Sequence, residues 1–477
     1  MTDVDELHEY TALELHQLLQ RGEVSPHEAA RHFLDRIDRL GPRVGAFAHV
    51  DAERALERAD LVERQVPKAA PLWGMPLADK DLHLRAGVPA RFGSQAFADF
   101  VPEESDELVR TVDEAGAVSL GKTATPEFGM PSYTEGPAVP AARNPWDLSL
   151  GAGGSSGGAA AAVAAGLLPF APGSDGGGSI RIPAASCGLV GVKPSRGRVP
   201  AGSGLASLAG LGVAGPIART VADAALLLDG LVAPAGYPAR HPFAVRAPGE
   251  DGPFLGAAIR GEGRFQVGVM TDSPWDDFTD IEIEPEARAA LDRAIELLDR
   301  AGHGIEAMAP APEPGYAEAF RAVWQAGAAT IPVDGAAIEL LEPLTRWLVE
   351  RGRALPARTL AEALAWLAGF EQRVIRRFAP FDAVLTPALA MTPRPVGWYD
   401  AGDGERNFAQ QVAFTPFTSF VNVSGLPAIT VPVDETSTGL PMGVQLIGRP
   451  GGESTLFALG AQLERAARRG RRRPPVW

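Results

Sequence analysis

The sequence predicts an α/β protein in which a mixed β-sheet is sandwiched between helices, and three observations carry that expectation. Short strand-like runs near Leu77, Val118, Leu167, Val190, Val267, Val384, Ile429 and Val444 alternate with segments whose apolar residues recur at helical spacing. The chain has 477 residues, 45% of them hydrophobic, which is ample material for a large core. Tandem repeats and sustained heptads are absent, and Ala, Gly and Pro are spread along the chain instead of marking a linker, so no strong domain boundary is expected.

In chain order, Thr11 with Glu14 and Ser25-Pro26 with Glu28 each set a hydroxyl three residues ahead of a glutamate, the pattern of a capping box at a helix start. Leucines at helical spacing follow the first box, and residues 1–70 are read as an N-terminal helical layer. Leu77 to Leu82 reads as a strand. Gly116 to Thr123, GAVSLGKT, matches the phosphate-binding pattern GxxxxGK[ST] letter for letter. Ala117 to Leu120 nevertheless reads as a buried strand, and Pro126 disfavours the helix that such a loop must open, so nucleotide hydrolysis is not expected. The Ala159 to Leu168 run ends at Pro169, well short of the ~20 apolar residues of a membrane span. Ala222 to Leu231 and Glu286 to Ala301 read as helices.

Composition narrows the partners. A net charge of −15 argues against nucleic acid, whose backbone demands a basic surface, and the Arg468 to Arg473 cluster is read as a solvated tail. Asp3, Asp5, Glu6 and Glu9 open the chain without an apolar segment, so no signal peptide is expected. The single cysteine, Cys187, fits a reducing cytoplasm and, among Ala184, Ala185, Ser186 and Gly188, is expected to be a packed core thiol. The eight histidines form no paired-ligand pattern, and His27 with His32 reads as a polar helix face, so no metal site is expected.

Two Gly/Ser loops carry the chemistry: Gly153-Gly154-Ser155-Ser156-Gly157-Gly158, and Ser174-Asp175-Gly176-Gly177-Gly178-Ser179-Ile180-Arg181. Serine is a weak nucleophile and needs a base within reach and donors for the oxyanion. Glycines just ahead of a serine let several backbone N–H groups converge on one point, so the second loop reads as nucleophile plus oxyanion hole. The first loop also fits the GxSxG elbow twice, centred on Ser155 or Ser156. That elbow needs a later acid and histidine, and only His241 and His303 follow, in Pro/Gly-rich surroundings unlike a site.

GGSSGG followed by SDGGGSIRIPAASCGLVGVKPSRGRVP resembles the motif of the amidase signature family of serine hydrolases. Further matches run from PLADKD at Pro76 through GKTATPEF, NPWD and GPIARTVADAALLLD to FTPFTSFVNVSGLPAITVPV and GLPMGVQLIG, covering nearly the whole chain. The resemblance implies one large α/β domain over 1–477, with a catalytic core at 71–235 and a variable pocket segment at 300–370. It implies Ser179 as nucleophile, Ser155 as a bridging serine after a cis bond from Gly154, and Lys80 as the base. Ser155 precedes Ser179 by 24 positions and follows Lys80 by 75, spacings that suit the family. Backbone donors of Gly176, Gly177, Gly178 and Ser179 would line the oxyanion hole, with Ser156, Asp175 and Arg181 supporting the loop. Gly176 departs from the larger residue common there, which implies a looser loop.

To accept a proton near neutral pH, Lys80 must have a lowered pKa, while its neighbours Asp79 and Asp81 would raise it. Strand alternation sends both aspartates to the face opposite Lys80. The resemblance further implies an amidase that needs no cofactor and acts, as monomer or homodimer, on a small-molecule amide. ARNPW and FVNVSGLPAITVPV are similar to the aryl acylamidase and 6-aminohexanoate cyclic dimer hydrolase branches, so acylamides, oligoamides and carbamates are the expected substrates. The alternative is an amidotransferase-type subunit that works in a complex on aminoacyl-tRNA. Its members carry Gln where this chain has Ile182, and an SRYG-like segment where this chain has Pro200-Ala201-Gly202. The pocket is expected from Gly129 to Thr134, with Gly129, Met130 and Tyr133 as substrate contacts, and from aromatics among Phe320, Trp324, Trp347 and Trp366.

Overall fold

Both capping boxes form. In the computed structural model, which describes residues 4–200, 208–232, 253–468 and 472–477, Thr11 caps the helix Ala12–Arg21 and Ser25 caps the helix Pro26–Val44, each glutamate returning its bond to the cap backbone. The second helix buries Ala29, Ala30, Phe33, Ile37 and Val44, one stripe at 3.6-residue spacing, and each large apolar side chain so covered stabilises by about 1.5–3 kcal/mol. His241, Ala201, Gly202 and residues 469–471 of the arginine cluster lie outside the described residues.

Thirteen strands are described: β1 Phe47–Val50, β2 Pro76–Lys80, β3 Val118–Thr123, β4 Arg143–Asn144, β5 Asp147–Gly151, β6 Phe170–Asp175, β7 Val190–Lys193, β8 Val213–Ala218, β9 Gln266–Val269, β10 Gly304–Ala307, β11 Ala383–Pro387, β12 Ala428–Glu435 and β13 Pro441–Gly448. The main sheet has eight strands in the order β10-β9-β11-β13-β12-β7-β8-β6. Its β10–β9 and β9–β11 pairs are parallel and the others antiparallel, so the expected mixed sheet is observed. A separate three-stranded sheet, β1-β3-β2, packs β2 against β6.

The expected strand near Leu167 begins later, at Phe170, because Gly166 turns the chain after the helix Gly157–Ala164. Sequence reading passed over β8, whose Gly215 and Pro216 look like strand breakers. β7 pairs with only the last part of β8, at Ile217 and Ala218, so the missing N–H of Pro216 interrupts no ladder there. The phosphate-loop match is strand: β3 runs through Lys122, whose buried amine donates to His83 O, and a proline-started turn follows in place of a helix.

The helix Gly157–Ala164, built of Gly, Ala and Val, is buried at every position and touches strands of both sheets. Its first turn therefore presents Ser155 and Ser156 where the ends of β2 and β6 converge. Among the described residues no helix is long and apolar enough to cross a membrane.

Candidate active site

β2 delivers Lys80 into a fully buried position. Its Nζ donates to Ser155 Oγ at 2.8 Å and to Ser174 Oγ at 3.0 Å, with Ser174 O at 3.4 Å. Burial lowers its pKa to about 7, opposed by the nearby negative charge of Asp175. The flanking aspartates turn elsewhere, as alternation predicts. Asp79 accepts from Arg85 and Ser119, and Asp81 from the backbone N–H of Arg91.

The Gly154–Ser155 peptide bond is cis. Gly154 lies against the backbone of Tyr133, where an added Cβ would come within 2.6 Å of N, C and O, so no larger residue fits. Ser156 N donates to Ser179 O at 3.1 Å, joining the two loops. Ser179 is nearly buried and lines an open cleft. Among the described residues no hydrogen bond joins the Ser155 and Ser179 hydroxyls.

Beneath this loop Asp175 and Arg181 form a fully buried ion pair, with Arg181 Nη2 at 2.9 Å from Oδ1 and Nε at 3.0 Å from Oδ2. Arg181 also donates to Thr418 O, Gln445 Oε1 and Asn422 Oδ1, so its five N–H donors all have partners. The Asp175 carboxyl is held far below the usual range by the guanidinium, against the opposing effect of its own burial. Its Oδ1 takes the Gly178 N–H at 2.7 Å and its Oδ2 the Ile180 N–H at 3.1 Å. The Gly178 donor is thus turned inward to Asp175, at odds with its expected place in an oxyanion hole. The N–H groups of Gly176, Gly177 and Ser179 have no protein acceptor among the described residues.

The cleft opens to solvent and holds about 60 Å³ of cavity volume at the Ser179 hydroxyl. It is lined by Trp275, Phe320, Trp324 and Phe408 together with Met130 and Ser179, and among the described residues no charged side chain lines it. Gly129 sits behind this wall, where a Cβ would meet Ser155 Oγ at 3.2 Å. Tyr133 does not line the cleft, because its ring stacks on Tyr399 at 4.1 Å and its hydroxyl accepts from Asn407. Trp347 packs against Gly404 and Trp366 stacks on Phe370, which leaves Phe320 and Trp324, four residues apart on one helix, as the two expected aromatics in the cleft.

Sequence reading missed Ser174, the second hydroxyl on Lys80; Lys193, a second fully buried amine lowered to about 7; and Trp275, Phe408 and Ser419 in the cleft. Thr418 and Asn422, partners of Arg181, lie in the quoted FTPFTSFVNVSG segment, whose buried polar residues were the available signal. Cys187 is buried and its thiol pushed up by that burial, as expected of a core thiol. His303 stacks on Phe265 and bonds Gln462, away from the cleft. Among the described residues no group of three His, Cys, Asp or Glu could hold a metal ion.

The family model described as Amidase matches residues 28–457. AmiB2 of Mycobacterium tuberculosis is 37% identical over 451 residues, covering 93% of each chain. A glutamyl-tRNA(Gln) amidotransferase subunit of Moorella thermoacetica is 36% identical over 501 residues, covering 99% of each. Among solved structures, 6-aminohexanoate cyclic dimer hydrolase complexed with substrate is 29% identical with a TM-score of 0.88 over 99% of both chains. A bacterial aryl acylamidase is 25% identical with a TM-score of 0.84 over 96% of both.

Proposed function

This chain belongs to the amidase signature family of enzymes acting on carbon–nitrogen bonds, and we propose that it hydrolyses carboxylic amides through an acyl-enzyme on Ser179. The observation that carries this reading is Lys80, a fully buried amine held near neutrality with its Nζ 2.8 Å from Ser155 Oγ. Neutral Lys80 takes the Ser155 proton as Ser155 takes that of Ser179, and Ser179 Oγ attacks the amide carbonyl. The oxyanion is met by the N–H groups of Gly176, Gly177 and Ser179, while Gly178, Asp175, Arg181 and Ser156 hold the loop. Collapse breaks the C–N bond, the departing amine takes the proton back along the same hydroxyls, and water activated by the same path releases the acid. Substrate binding closes the gap between the Ser155 and Ser179 hydroxyls, as catalytic bonds tighten in the Michaelis complex.

The substrates are uncharged aryl or alkyl acylamides, oligoamides or carbamates, small molecules that enter without a cofactor. The aromatic lining supports this class, with Met130 in the wall and Gly129 behind it, against Ser155. The likeness to the Moorella amidotransferase protein favours a second reading, hydrolysis of glutamine within a complex that acts on aminoacyl-tRNA. Assaying the purified chain on anilides, aliphatic amides, oligoamides, carbamates and glutamine separates the two. The expected result is turnover of anilides or carbamates, lost in Ser179→Ala, with a fluorophosphonate labelling Ser179. Turnover confined to glutamine or small primary amides, or labelling of another serine, overturns the proposal.

A further inference from the structure

Ser419 stands at the edge of the cleft beside the oxyanion loop, its Cβ 4.0 Å from where a Cβ on Gly177 would lie. Two buried aromatic residues bond its hydroxyl: Trp275 Nε1 at 2.9 Å and Tyr316 OH at 2.8 Å. The indole N–H can only donate. Tyr316 is fully buried and its hydroxyl has no other partner among the described residues, so its proton also goes to Ser419. The reverse orientation would strand the Tyr316 proton in the core without an acceptor. Two incoming bonds occupy both lone pairs of Ser419 Oγ, and its own proton finds no acceptor among the described residues.

We infer that Ser419 is a specificity-determining donor, which selects amides bearing a second acceptor oxygen, such as another carbonyl, placed apart from the scissile one. The inference rests on the amidase reading above and deepens it. The rest of the cleft strengthens the contrast. Trp275, Phe320, Trp324 and Phe408 line it with rings, Thr415 Oγ1 donates to Gln411 O, and the Gln411 amide is bonded on both atoms, to Ser132 N–H and to Asn407. Besides the nucleophile Ser179, the lining carries one other serine hydroxyl, Ser132, on the Met130 side, so Ser419 is the O–H set between Trp275 and the oxyanion loop, and a substrate without an acceptor there leaves it unpaired.

The test uses acyl anilides of equal chain length in which a carbonyl replaces each methylene in turn. The native protein should prefer one keto position over the all-methylene parent by about fivefold or more in kcat/KM, the size of one neutral hydrogen bond. Ser419→Ala should bring that ratio close to one, and Ser419→Thr should restore it. Tyr316→Phe keeps the Ser419 hydroxyl and frees one of its lone pairs, so an alcohol at the same position should gain on the ketone. Equal loss on both members of the pair in Ser419→Ala would mark a merely structural residue and overturn the inference, as would a native protein indifferent to every keto position. If the native protein cleaves no anilide, carbamate or oligoamide, the amidase reading fails separately. Binding of the same anilides to Ser179→Ala, followed by tryptophan fluorescence, then decides Ser419 by the same ratio, and binding without preference overturns it.

Discussion

Lys80 and Lys193 are both fully buried, and burial lowers both amines to about 7, yet their surroundings differ in kind. Lys80 ends β2 and touches two hydroxyls, Ser155 Oγ and Ser174 Oγ, beside the loop that carries Ser179. Lys193 ends β7, and among the described residues its one hydrogen-bond partner is the carbonyl of its neighbour Pro194 at 3.0 Å. Its field comes from Arg181, Asp175, Arg196 and Glu453, and it does not line the cleft. A lowered pKa therefore reports burial first, and only contact with a group that can pass a proton turns a buried lysine into a base.

The largest expected effect breaks that pair apart. Lys80→Met should lower kcat/KM on an anilide by about 10²–10⁴, the usual worth of a general base, and Lys80→Arg should not recover it because guanidinium keeps its proton. Lys193→Met should stay within a few fold of native. Comparable losses from both, or near-native turnover by Lys80→Met, would show that the difference in partners is not what assigns the base.

Next in size is the ion pair that lies near both lysines. Asp175→Asn leaves the Arg181 guanidinium buried without its counter-charge, which should cost about 3–5 kcal/mol in urea unfolding. It also removes the charge that raises both lysines, so the activity that remains should extend to lower pH. A cost below about 1 kcal/mol would show that the remaining partners, Gln445, Asn422 and Thr418 O, hold Arg181 without it.

The third effect is the pH profile. Lys80 accepts a proton only when neutral, so kcat/KM should climb about tenfold per pH unit below 7 and level off above it. Lys193→Met should leave this profile in place. A flat profile between pH 5 and 9 would remove Lys80 from the mechanism.

What could be read from the chain follows the range of each interaction. Capping boxes, strand alternation around Lys80 and the two Gly/Ser loops are local patterns, and they appear in the fold where the residues place them. The partners of Arg181 are not local, since Asn422 and Gln445 lie 241 and 264 positions away and meet it only after the sheet forms. Met130 and Tyr133 illustrate the same limit within one short segment: the first lines the cleft while the second stacks on Tyr399, because a distant ring claims that side. Lys193 carried no local sign at all, its strand reading as an ordinary buried VGVK.

The smallest effect concerns stability and treats the two lysines alike, which sharpens the comparison by isolating what burial alone does. Each has a folded pKa near 7 against an ordinary value of 10.5, so between those limits the unfolded chain holds a proton that the folded chain lacks. Stability must then rise with pH across that window, and below pH 7, where both states hold the proton, the penalty of burying each amine is present in full. Methionine has similar length and no charge to bury. Lys193→Met should therefore raise Tm at pH 7 by about 2–6 °C, with the gain shrinking as pH approaches 10. Lys80→Met should show the same pH trend while losing activity, the trade between stability and function expected where a catalytic group is held in an unfavourable place. A Tm gain for Lys193→Met that does not shrink with pH would mean packing, not the buried amine, is the source, and a Tm loss would mean Lys193 remains charged and paired with Asp175 or Glu453.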